Sequence, residues 1–266
     1  MIKLITIDLD GTLLDKDKNV TDKNLEAIKK CKEKGIYVVI ATGRPYLGTK
    51  SLIKKLGLFD SFIILYNGGK VIDIKNNKTI YTNTINGKDI KEIYQLSLKH
   101  NLYYHAFKEN EDLITQLFNP YTALEVRINH IPFKNELIKN IDDNEKFLKG
   151  MIVGDEKDLD ELEPLVPSSF KEKYSIVRTA KVFLEFLNKS VDKGNALNFL
   201  KNYLNLKDDE TMAIGDAGND LGMIKEAHIG VAMKNSMKDV LDIADYITEN
   251  DNNNSGVAEA IYKFAL

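Results

Sequence analysis

Cysteine is nearly absent: Cys31 is the only one in 266 residues. A single thiol cannot close an internal disulfide, so this one is expected to pack on a helix, in a reducing compartment. Long apolar runs are missing as well. The first apolar segment is interrupted at Asp8 with no basic segment ahead of it, and no stretch approaches the roughly 18 apolar residues of a membrane span. Neither a secretion signal nor a membrane anchor is expected, which predicts a cytoplasmic protein. There is no excess of one charge either. The 37 Lys and Arg against 40 Asp and Glu leave a formal net charge of −3, and no long basic block occurs. Nucleic acid and membrane surfaces are therefore not expected partners, whereas small molecules are. No internal repeat is present, and the one low-complexity piece, residues 250–254, reads as a loop.

What the chain does have is an alternation of short apolar runs with helical patterns, the pattern of an α/β protein with a parallel sheet covered by helices. Residues 3–7 predict a strand that stops at Asp8-Leu9-Asp10-Gly11-Thr12. A helix follows from the N-cap candidate Thr21 to a stop at Gly35, then a buried strand at 36–40 that ends in Ala41-Thr42-Gly43-Arg44. Pro45 is expected at the start of the next helix and Gly57 at its end. A strand at 62–65 leads to Asn67-Gly68-Gly69, and residues 70–82 predict a hairpin with Asn76-Asn77 at positive φ in the turn. From 83 to 188 the rhythm changes to α+β: a helix around Ile90 to Tyr94, alternating segments at 102–107 and 113–117, helices at 121–128 and 136–141, a strand at 147–153, a helix near 157–165 and strands at 174–179 and 182–187. The α/β rhythm then returns. It gives a helix at 193–204, a strand at 211–214 ending in Gly215-Asp216-Ala217-Gly218-Asn219-Asp220, a helix at 221–227, strands at 228–232 and 245–248, and a last helix capped by Ser255.

The polar clusters share one location. They follow strands, and in an open α/β sheet the carboxyl ends of the strands line the ligand crevice. Asp8 and Asp10 start on the same side of their strand. A carboxylate can attack phosphorus, but two anions must first be brought together, which calls for a cation such as Mg²⁺ with its preference for oxygen ligands. Asp216 can supply a distant ligand, while the Thr42 hydroxyl and the Gly43 N–H can hold phosphate oxygens. Lys193 opens a helix, where the macrodipole disfavours a cation, so an anion is expected beside it. Asp15-x-Asp17-x-Asn19 imitates a calcium loop, but Val20 stands where a sharply turning glycine is required, and it reads as an acidic surface turn. His105, His130, Tyr103 and Arg127 read as packing or surface residues, and Arg44 is open between phosphate contact and a carboxylate pair.

In order and context these clusters resemble the four motifs of the haloacid dehalogenase superfamily: DLDGT, Thr42 in ATGR, Lys193 in VDKGNAL, and GDAGND with Asp216, Asn219 and Asp220. YNGG at 66–69 and SGVAEAI at 255–261 are similar to its Cof-type branch. The resemblance implies a Rossmann-like catalytic core from residues 1–82 and 189–266, with an inserted C2B-type cap at 83–188. It implies Asp8 as nucleophile and Asp10 as the acid that protonates the leaving alcohol and then activates water. Mg²⁺ would be held by the Asp8 side chain, the Asp10 backbone carbonyl and Asp216. Phosphate would be held by the Leu9 backbone, Thr42, Gly43, Lys193 and Asn219. Asp220 is implied as a group that orients Lys193 or the metal waters, with direct ligation as the alternative. The reading is a Mg²⁺-dependent phosphatase for small phosphorylated metabolites, sugar phosphates first, acting as monomer or homodimer. A sugar phosphomutase and a non-catalytic phosphometabolite-binding protein are the alternatives.

Overall fold

Four-residue runs with no polar interruption cannot be half-exposed strands, and the computed structural model, which describes residues 1–266, buries them on both faces. The chain divides into two compact units. The first comprises Met1–Thr42, Ser51–Tyr81 and Asp192–Leu266. Its eight-stranded sheet runs in the order Tyr246–Ile247, Ile229–Ala232, Thr211–Gly215, Leu4–Ile7, Tyr37–Ala41, Phe62–Leu65, Lys70–Asp73, Lys78–Thr82. Pairing is parallel from the first of these to Phe62–Leu65, and Lys70–Asp73 then turns back antiparallel. Leu4 stands opposite both Thr211 and Tyr37, which makes Leu4–Ile7 a central strand, wholly buried. Leu4, Val39, Ala41 and Ala213 pack with Ala196, Leu197 and Leu200 of the Lys193–Tyr203 helix and Met223 of the Leu221–Glu226 helix. Each leucine, valine or methionine among them contributes roughly 1.5–3 kcal/mol by leaving water.

The Asp22–Glu33 helix starts where Thr21 accepts from the Asn24 N–H and ends before Gly35, whose φ of +72° a side chain would resist. Cys31 is buried on it, in agreement with a packing role. Three local expectations need correction. Pro45 does not open a helix; the chain makes a 3₁₀ turn at Leu47–Thr49 before the Lys50–Leu56 helix, which ends at Gly57 as expected. In the 70–82 hairpin only Asn77 takes positive φ, while Asn76 is spent on Asp73, whose carboxylate accepts from its backbone and side-chain N–H groups. Ser255 stands at the N-cap of the Gly256–Phe264 helix but makes no side-chain cap; its hydroxyl is shared with Thr21 at 2.8 Å.

The second unit comprises Gly43–Lys50 and Thr82–Val191. Its sheet runs Tyr174–Ala180, Phe183–Asn188, Lys146–Val153, Tyr103–Lys108, Leu113–Thr115, Phe133–Asn135, with Ile85–Asn86 also pairing to Lys146–Val153. All pairs are antiparallel except the last two strands of the series. One face is apolar, with Tyr104, Ala106, Ile152, Leu184 and Phe186 against Ile90, Ile93 and Leu96 of the Gly87–Lys99 helix and Leu159 and Leu162 of the Glu156–Leu162 helix. Pro120–Asn129 is a helix as expected, but 136–141 is not: only a 3₁₀ turn forms at Ile138–Asn140. Its first residue instead continues the pairing of Phe133–Asn135 with Leu113–Thr115, the Glu136 N–H donating to the Thr115 carbonyl at 3.0 Å.

Candidate active site

Asp8 is the first residue past a central strand, and its N–H still donates to the Ile214 carbonyl of the neighbouring strand at 3.0 Å. That bond fixes the carboxylate at the carboxyl edge of the sheet. The chain then curls back: the Leu13 N–H donates to the Asp8 carbonyl and the Leu14 N–H to that of Leu9. Gly11 makes the curl at φ +91°, and a Cβ there would collide with the Asp216 carboxylate. Glycine is needed on both counts.

Asp8 is 6% exposed and accepts from Lys193 Nζ at 2.5 Å. The same ammonium donates to Asp220 Oδ1 at 2.7 Å. Lys193 is fully buried in the first turn of its helix, so two carboxylates offset the unfavourable macrodipole as well as the desolvation of the charge. The anion expected beside Lys193 is thus supplied from within the chain. Asp220 Oδ2 accepts from the Asp216 and Ala217 N–H groups, both at 3.0 Å. Asp220 therefore braces the turn that carries Asp216, whose Oδ1 accepts from the Thr12 hydroxyl at 2.5 Å.

Oxygens of Asp8, Asp216 and Asp220 all lie within 4.8 Å of one another. Three carboxyl groups face the one ammonium of Lys193, so their full ionisation would leave two negative charges in excess. Burial first, then Asp220, pushes the Asp8 carboxyl well above its ordinary range, with Lys193 pulling it down. Burial likewise moves Asp216 up to about 6, the Thr12 hydrogen bond opposing. Such a cluster fits a hard divalent cation, which would repay the stored repulsion. Asp220 accepts from three donors and Asp8 and Asp216 from one side chain each, so Asp8 and Asp216 have the more open acceptor sites for an ion.

Asp10 is not drawn into this cluster. Its carboxylate, 42% exposed, accepts from Lys18 Nζ at 2.6 Å. Thr42 is buried at the end of the Tyr37–Ala41 strand, its N–H donating to the Ile64 carbonyl and its carbonyl accepting from Asn67. Gly43, the next residue, clusters with the second unit. Leu9 buries its side chain completely. Asn219 donates from Nδ2 to Asn67 Oδ1 at 3.0 Å, and Asn67 is held at φ +55° in the Tyr66–Gly68 turn. Thr12 and Asn67 had no individual role in the sequence reading, although both sit inside quoted motifs, DLDGT and YNGG. In the second unit Arg44 contributes a favourable charge to the buried Glu125. The Asp15 segment is an Asx-type turn in which Asp15 Oδ1 accepts from the Asp17 and Asn19 N–H groups, and Val20 is buried.

A family model described as haloacid dehalogenase-like hydrolase matches residues 5–261. The chain is 37% identical over 268 residues to a Streptococcus pyogenes protein named Putative phosphatase M6_Spy0533, covering 100% of this chain and 99% of that one. It is 33% identical over 265 residues to the Bacillus subtilis 5-amino-6-(5-phospho-D-ribitylamino)uracil phosphatase YcsE, covering 100% and 96% of the two chains. Among solved structures, a haloacid dehalogenase-like hydrolase from Bacteroides thetaiotaomicron superposes with a TM-score of 0.86 at 33% identity, covering 99% of each chain.

Proposed function

The chain belongs to the haloacid dehalogenase-like hydrolases, and from that premise we propose that it is a Mg²⁺-dependent phosphatase of small phosphomonoesters, sugar and sugar-alcohol phosphates foremost. The observation that carries the reading is the placement of Asp8, a buried carboxylate held by Lys193 at the edge of the central strands with Asp216 beside it. The substrate class is supported by the B. subtilis relative, whose name specifies a phosphoribityl ester.

In this mechanism an Asp8 oxygen attacks phosphorus and the ester P–O bond breaks, leaving an aspartyl phosphate. Asp10 gives its proton to the departing alkoxide and then takes one from water, whose oxygen attacks phosphorus, releasing inorganic phosphate and restoring Asp8. Asp10 must leave Lys18 to do so, a rotation open to a side chain 42% exposed. Lys193, Thr42, Gly43, Asn219 and the Leu9 backbone hold phosphate oxygens and keep the attack in line. Asp8, Asp216 and the Asp10 carbonyl would hold Mg²⁺, whose positive charge would let a carboxylate approach a phosphate dianion. These groups grip what every phosphomonoester shares, so discrimination among leaving groups is assigned to the inserted segment 83–188, read as a cap.

Purified protein given a hexose monophosphate and Mg²⁺, with no bisphosphate activator, should release inorganic phosphate. Isomerised monophosphate without free phosphate would make the protein a mutase. Tight binding without either product would make it a binding protein.

A further inference from the structure

Two asparagines outside the four motifs, Asn235 exposed and Asn252 half-buried, are tied to the loop that carries Asp10. Asn235 Nδ2 donates to the Gly11 carbonyl at 2.8 Å, and Asn252 Nδ2 donates to the Leu14 carbonyl at 2.8 Å. The two are coupled, because the Asn252 N–H donates to Asn235 Oδ1 at 3.0 Å. That third bond decides which end of the Asn235 amide faces Gly11: with the oxygen engaged by Asn252, the NH₂ group must point at the carbonyl. A fourth tie, from the Lys16 N–H to Asn253 Oδ1 at 2.9 Å, fastens the same loop further along.

The segment around Asn235 also holds the other acidic loop. The Met237 N–H donates to the Asp216 carbonyl at 2.9 Å, the Ser236 hydroxyl to that of Gly215 at 3.3 Å, and the Met233 N–H to Gly215 at 3.1 Å. Residues 233–237 thus grip the backbone after Asp8 and the backbone of Asp216 at once. Exposed hydrogen bonds of this kind add little to global stability, since water replaces them readily. What they do fix is direction. Gly11, at positive φ immediately after Asp10, is the point at which the loop is freest to swing.

We propose that Asn235, oriented by Asn252, is a positioning residue that fixes the Asp10 loop against the Asp216 loop, so that the Asp10 carboxyl reaches the leaving oxygen. This rests on the reading of Asp10 as general acid. The low-complexity run at 250–254 then has a purpose. Asn252 supplies both an amide donor and a backbone donor from one turn, which Asp251 closes by accepting from the Asn254 N–H.

The test compares wild type, Asn235→Ala, Asn252→Ala and Asp10→Asn on two esters, p-nitrophenyl phosphate and glycerol phosphate. The aryl ester needs little protonation of its leaving group and the alkyl ester needs much. Asn235→Ala should lower kcat on the alkyl ester by roughly 10-fold and on the aryl ester by less than about 3-fold, the scale of one lost hydrogen bond acting through position. KM and the thermal midpoint should hardly move. Asn252→Ala should shift the same ratio in the same direction by less, and Asn235→Ala placed on Asp10→Asn should cost nothing further. Equal losses on both esters by Asn235→Ala, with Asp10→Asn still selective for the alkyl ester, would overturn the positioning role. Equal losses by Asp10→Asn itself would instead remove the general acid on which the inference rests.

Discussion

Replacing Asp8 with asparagine should have two opposite effects, which makes the substitution a strong test. The amide keeps the shape and still offers an oxygen to Lys193 Nζ, so the 2.5 Å contact survives. What disappears is a carboxyl that burial, together with Asp220 and Asp216, makes costly to ionise. Burial and those neighbours raise the Asp8 carboxyl from 3.8 to about 8. With divalent cations chelated, the folded state therefore binds more protons than the unfolded state between those values. The contribution to stability is complete below about pH 4 and is lost as pH rises toward 8. At about 1.4 kcal/mol per unit the cost of carrying Asp8 at pH 7 has a ceiling of ~4 kcal/mol, and relaxation of the site brings the expected value to on the order of 2 kcal/mol. Asp8→Asn should thus be more stable than wild type in chelator at pH 7 by about that amount, and should lose the part of the pH slope that Asp8 supplies. The same change removes the nucleophile, and phosphate release from a sugar phosphate should fall by on the order of 10³-fold or more. Urea unfolding in EDTA at several pH values, run beside a phosphate-release assay, reads both effects. A variant less stable than wild type in chelator would refute the charge argument, and wild-type-like turnover by the folded variant would refute the role of Asp8.

Asp216→Ala should raise the Mg²⁺ concentration needed for half-maximal activity by at least about 10-fold, as expected when a ligand is deleted; unchanged metal dependence in a Mg²⁺ titration would remove Asp216 from the site. In the second unit, burial and the Lys149 charge lower His105 from 6.5 to about 3, its ring held by Thr122 Oγ1 at 3.1 Å. The unfolded chain binds this proton and the fold refuses it, so stability falls as pH drops from about 6.5 toward 3, by up to ~1.4 kcal/mol per unit. His105→Gln should flatten that part of a urea-midpoint profile. Glu125, raised to about 6 by burial, contributes a slope of opposite sign between 4.5 and 6, so a double variant separates the two.

Most of the first unit was legible because its strands are buried on both faces and must read as unbroken apolar runs. The polar residue that ends each run then falls at the sheet edge by necessity, which is why Asp8, Thr42 and Asp216 could be placed there from sequence. The second unit was less legible where tertiary pairing overrides local pattern. Phe133–Asn135 carries one aromatic and two polar residues and becomes a strand only because Leu113–Thr115 offers it an edge. Ser168–Lys173 is six residues long with no apolar stripe, too short to show a period. Lys149 lies in an apolar strand run and is buried because Glu185 meets it at 2.6 Å across the sheet. No local reading of either strand reveals that partner.

The harder ambiguity lies inside the motifs. GDAGND presents two aspartates four residues apart, and spacing alone allows either to face an ion. The structure separates them by counting acceptors. Asp220 spends one oxygen on Lys193 and the other on two backbone N–H groups, and it is fully buried. Asp216 accepts from the Thr12 hydroxyl and is only partly buried. A carboxylate with three donors already on its oxygens gains less from a cation than one with more open lone pairs beside another anion. On the proposed reading, Asp220 chiefly braces the turn while Asp216 offers charge to the ion. Exchanging them, with asparagine at one position and then at the other, should separate the effects: Asp220→Asn should loosen Lys193 and lower stability, while Asp216→Asn should chiefly weaken the response to Mg²⁺.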